Sequence, residues 1–211
     1  MYEPIRTPGP RVAAPFESMQ IKNLTHFVVN MQSPHANIFA IQDYYRMMRP
    51  DMLELRKSLD GVDATAALLP HGSDAWDIAS KALTRIQAAY TMLLTMALLS
   101  NAILQQHSPG HHILVEDAQH MSNEVLRTSR NACRFRPFGS SAQPFALVAV
   151  FITTSDDLAR IQAQDLIAEY AGDFAITNWA EVGRLLAARL GLVSPEMYGT
   201  DETQLAISTF I

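Results

Sequence analysis

The chain is poor in cysteine and lysine. Cys133 is the only thiol, which rules out an intramolecular disulfide and a cysteine-rich zinc module within this sequence. Lysine occurs only at Lys22, Lys57 and Lys81, so arginine carries most of the positive charge and no basic block forms. With a formal net charge of -5, the chain lacks the electrostatic footprint of a nucleic-acid binder. Charge of either sign is missing altogether from Ile86 to Leu104. The first 15 residues contain no apolar core segment of the kind a secretory signal needs. An intracellular protein is therefore expected, nuclear if it is a regulator and otherwise cytoplasmic.

The 211 residues, 48% of them hydrophobic, are enough to bury a core. Residues 1–16 hold Pro4, Pro8, Pro10 and Pro15 and read as an extended arm. Residues 17–193 carry helical periodicity, and residues 194–211 form a tail of ambiguous pattern. The centre is one long helix from about Asp74 to about Gln106, opened by a Ser73 cap and stopped by Ser108-Pro109-Gly110. Its uncharged run is long enough to span a bilayer. Its ends lack tryptophan and Lys/Arg clusters, so a buried helix with no membrane partner is expected instead.

Other segments fall around it. Ile21, Leu24, Phe27, Val28 and Met31 recur at helical spacing, with Ser18 as a candidate cap. Ile38, Phe39, Ile41, Tyr44, Tyr45 and Met48 form a second set closed by Pro50. A short helix over Asp51 to Leu59 is expected to end at Gly61. A helix from about His111 to Cys133 follows. The short run Phe145 to Ile152 is read as helix because no strand is available to pair with it. Thr154 to Asp157 resembles a capping box ahead of Leu158, Ile161, Leu166 and Tyr170. Thr177 or Asn178 opens a last helix with Trp179, Val182, Leu185 and Leu186 inward. The expected fold is a single all-α domain of about seven helices around the central apolar one.

From about Ala82 to Leu190 the chain resembles the C-terminal half of the fungal-specific transcription factor domain, the helical region of zinc binuclear-cluster regulators. The resemblance rests on the apolar helix Ala88 to Leu104, the Ala132-Cys133 helix end, and the Pro137-Phe138 and Pro144-Phe145 pairs. It continues through Ala146 to Phe151, the Thr-Ser-Asp-Asp break, Arg160, and Trp179 with Arg184-Leu185-Leu186. It implies a regulatory or ligand-sensing module involved in transcription regulation. The six-cysteine zinc cluster has no counterpart here, so direct nucleic-acid binding is not expected. The alternative is a small enzyme of fungal secondary metabolism, a cyclase or isomerase acting on an apolar substrate with the same fold.

Several side-chain groups are candidate sites. His112, Glu116 and His120 share a helix face and could offer metal ligands, but a solvated face explains the spacing more simply, and neither metal nor cofactor is expected. Arg134, Arg136 and the Gly139-Ser140-Ser141 turn could hold an anion, though helix-end cations usually pair with nearby acids and carbonyls. Cys133 is read as a small buried hydrophobe and Asp156-Asp157 as a helix start. The remaining candidate is an apolar pocket between the N-terminal helices and the central helix. Its expected ligand-binding residues are Phe27, Met31, Phe39, Tyr44, Tyr45, Met92 and Met96. His26, Tyr44 and Tyr45 are its candidate acids under the enzyme reading. An apolar small molecule and a protein are the partners this pattern allows.

Overall fold

Ser73 begins the central helix as its sequence suggests, its side chain accepting from the Trp76 N–H at 3.2 Å. In the computed structural model, which describes residues 16–173 and 178–192, this helix (α3) spans Asp74–His107. Asp74 and Asp77 occupy its positive end. The expected arm, except for Phe16, and the expected tail lie outside the described residues.

Burial of α3 requires its scattered polar groups to be satisfied. Gln87 donates to the Thr128 carbonyl, Thr91 accepts from Gln143, and Thr95 and Ser100 donate back to carbonyls one turn earlier. Among the described residues α3 alone is long and apolar enough to cross a membrane, and 72% of its apolar window is buried inside the domain. Helices α2 (Ile38–Ala67), α4 (His112–Ala132) and α5 (Gln143–Thr153) pack against it. Helix α1 (Ile21–Asn30) rests on α2, while α6 (Asp157–Ala171) and α7 (Trp179–Leu190) pack on α5. The seven helices found among the described residues form an all-α domain.

Pro50 does not end a helix. It lies inside α2, which runs for 30 residues through Pro50 and Gly61 to Ala67. Pro50 and Gly61 both face solvent, whereas Tyr44, Tyr45, Met48, Asp51, Leu55 and Leu59 continue one buried face on either side of the proline. Packing of that face along α3 outweighs the local cost of the missing N–H.

Other local expectations shift by a residue or two. Asp156, rather than Thr154, caps α6, accepting from the Leu158 and Ala159 N–H groups, and Asp157 pairs with Arg160 instead of reaching back. Leu158 and Ile161 are exposed; α6 buries Ala159, Ala163, Leu166 and Tyr170. Ile21 and Val28 of α1 and Leu185 of α7 also face outward. Alanines take the inward positions in the first half of α6, which packs on α5, and Leu166 and Tyr170 take them in the second half. Gly183 takes an inward position on α7, where an added Cβ would lie 3.2 Å from Ile152 and 3.4 Å from Val148.

A candidate ligand groove

Tyr44 and Tyr45 are neighbours on α2 and serve different seams. Tyr44 stacks on Phe27 with ring centroids 4.9 Å apart and donates to the Ser18 carbonyl at 2.5 Å. Ser18 is not a helix cap. Its N–H and hydroxyl both donate to the buried carboxylate of Asp51, at 2.7 and 2.5 Å, which secures the chain ahead of α1 to α2. Burial, aided by the nearby Asp51 charge, pushes the Tyr44 phenol up to about 12.

Tyr45 points the other way, between α3 and α4. Its hydroxyl donates to Asp117 Oδ2 at 2.9 Å and accepts from Asn101 Nδ2 at 3.0 Å. The same Asn101 amide nitrogen reaches the Leu114 carbonyl at 2.9 Å, and its oxygen accepts from Gln105 at 2.6 Å. Arg49 closes the chain on Asp117 Oδ1 at 3.3 Å. Desolvation is the main cause holding the Tyr45 phenol well above its ordinary range, and Asp117 adds to it. Tyr45 therefore keeps its proton and acts as a hydrogen-bond donor.

Tyr45, Asp117 and Arg49 of this chain of polar groups form the floor of a groove of about 440 Å³ between α2, the end of α3 and the start of α4. Ile38 and Phe39 of α2, Leu104 of α3, and Ile113 and Leu114 of α4 supply its apolar lining. Arg46, His107 and His111 also line it. Phe39 is 79% exposed, so its ring is presented to solvent along the groove rather than packed in the core. The Tyr45–Asp117–Arg49 bridge separates the groove from a second hollow of about 230 Å³, bounded by Met52, Tyr90 and Met121. Beyond it, the buried Glu124 carboxylate accepts from Tyr90 and pairs with Arg56 and Arg127.

Only Phe39 and Tyr45 of the expected pocket residues line this groove. Phe27 and Met96 are core, Met31 packs against the core, and Met92 is half exposed. Tyr44 is committed to Phe27 and Ser18, and His26 is exposed on α1. Sequence reasoning missed Arg49, Asp117 and Asn101. Asn101 carried a signal, being an amide inside an uncharged run that had to find buried partners.

The remaining candidates have other partners. His112, Glu116 and His120 are exposed along α4, and no group of three or more metal-ligating side chains comes together among the described residues. Arg134 binds Asp63 and lies over the Phe135 ring. Arg136 takes Asp173 with two N–H groups, caps the Glu169 carbonyl and lies over Tyr170. Its guanidinium holds the Asp173 carboxyl below its ordinary range. Cys133 is partly buried, its Sγ 3.5 Å from the Tyr170 hydroxyl. No family model matches the chain, and neither a curated protein nor a solved structure is significantly similar to it.

Proposed function

We propose that the chain is a helical regulatory module that senses a small molecule in the groove over Tyr45, and that it does not bind DNA by itself. The observation that carries this reading is one polar bridge, Tyr45–Asp117–Arg49, set in the floor of a groove whose exposed surface is mostly apolar. Apolar walls with a few fixed polar groups are the usual make-up of a small-molecule site. The ligand that fits has an apolar body and one carboxylate. The body lies against Phe39, Leu104 and Ile113, and the carboxylate meets Arg49 and Arg46. Tyr45 orients and does not titrate, because its phenol is held in the neutral form by burial.

Titration calorimetry with decanoate and 1-naphthoate, beside decanol, tests the reading. The carboxylates should bind saturably with dissociation constants on the order of micromolar, and decanol more weakly. Phe39→Ala and Arg49→Ala should each weaken carboxylate binding about tenfold or more. Absence of saturable binding, or equal affinity in both variants, would overturn the site. A sequence-selective, salt-resistant gel shift with the isolated chain would overturn the statement about DNA.

A further inference from the structure

His35 and His107 are 72 residues apart in the chain, yet their imidazoles face each other, His35 Nδ1 to His107 Nε2 at 3.0 Å. Both residues are exposed, so a solute can reach the pair. Each is carried by a fixed stretch of backbone. Pro34 is buried, and the Ala36 N–H and the Asn37 side-chain amide both donate to the Ser33 carbonyl, which holds the turn bearing His35. His107 is the last residue of α3, and the Ser108 N–H closes that helix on the Leu104 carbonyl. Next to it, Gln106 donates to the Gly191 carbonyl at 2.9 Å and draws the end of α7 alongside. Gly191 has a left-handed φ of 68°, and a Cβ there would fall 2.6 Å from His35 Nε2, so any side chain would push the imidazole aside. Three separate segments thus converge on one pair of ring nitrogens.

We propose that His35 and His107 form a two-imidazole site for a divalent transition-metal ion, copper(II) above all, with water in the remaining positions. Neutral imidazole suits copper, nickel and zinc. Two ring nitrogens 3.0 Å apart, each about 2.0–2.1 Å from one ion, subtend roughly 95° at it. That is the angle between neighbouring ligands in square-planar or octahedral coordination, as copper(II) and nickel(II) take, and is narrower than tetrahedral zinc requires. In the hydrogen bond one of the facing nitrogens carries a proton. For both to ligate, that ring takes its other tautomer, and the two exposed rings turn until their lone pairs meet at the ion. His107 also lines the groove, but the ion needs nothing from the groove's proposed ligand.

Titration of the full chain with copper(II), nickel(II) and magnesium chlorides, with no organic ligand added, tests this. One copper ion should bind per chain with a dissociation constant of about 10 μM or tighter, nickel more weakly, and magnesium not at all. The electron paramagnetic resonance spectrum of the copper complex should show coupling to two imidazole nitrogens. His35→Ala and His107→Ala alter exposed residues and should melt like the wild type without metal, yet each should weaken copper binding about tenfold or more. His71→Ala and His112→Ala, elsewhere on the surface, should leave it unchanged. The proposal fails if copper binds no more tightly than about 1 mM, or if the His35 and His107 variants bind like the wild type. It fails equally if His112→Ala removes the binding, which would put the ion on the stacked His111–His112 pair instead.

Discussion

Tyr45 and Asp117 lie 72 residues apart in the chain and 2.9 Å apart in space, joined by a hydrogen bond from phenol to carboxylate. That bond ties α2 to α4, and Asn101 adds α3 to it from beneath. Three helices thus meet at one partly buried polar junction under the groove. Such a junction fixes their relative register, because any slide of one helix would orphan groups on the other two.

Tyr45→Phe should retain the fold and lose about 1–2 kcal/mol of stability, because it leaves the Asn101 amide and the Asp117 carboxylate one partner short. Asn101→Ala combined with Tyr45→Phe should be non-additive by about 0.5 kcal/mol or more, measured by urea unfolding of all four proteins. Strict additivity would mean that the junction is not an energetic unit.

Leu98 is 1% exposed in the middle of α3, whereas Leu185 is 56% exposed on α7. Leu98→Asp buries an unpaired carboxylate and should cost several kcal/mol, enough to unfold a domain of ordinary stability. Leu185→Asp should change the melting temperature little. A Leu98→Asp protein melting like the wild type would contradict the burial of α3.

Pro50 interrupts the backbone bonding of α2 on its solvent-exposed face. Pro50→Ala restores an N–H at mid-helix and should raise stability by about 1–3 kcal/mol. A fall in melting temperature would show that α2 needs a proline-induced bend to follow α3.

Two groups set expectations at the extremes of pH. The Asp173 carboxyl is depressed below 3.8 by Arg136, so its contribution is complete above that value and is lost as pH falls through the folded one. The melting-temperature gap between wild type and Asp173→Asn should therefore close on acidification. The Tyr44 phenol is raised from 10.0 to about 12, so its contribution is complete below pH 10.0 and is lost as pH climbs toward the folded value. Between those values the wild type should lose stability relative to Tyr44→Phe. A gap that stays constant across either window would contradict the corresponding environment.

Much of the fold was legible in the sequence because its signals are local. The uncharged run of α3, its Ser73 cap, the stop at Ser108 to Gly110 and the Asn178 cap each depend on residues within one or two turns. The same locality explains the misreadings. Pro50 is a strong local stop signal, yet only the packing of both halves of α2 on α3 decides that the helix continues. Leu158 and Ile161 look like core by type, but the face on which α6 packs against α5 gives the inward places to Ala159 and Ala163. The groove depended least on local pattern. Phe39 and Tyr45 could be suspected from apolar and phenolic character, whereas Arg49, Asn101 and Asp117 meet only because three helices cross at one level. Sequence periodicity says which face of a helix turns inward. Which residue of one face meets which residue of another is set by crossing angle and register, and these arise only when the whole core packs at once.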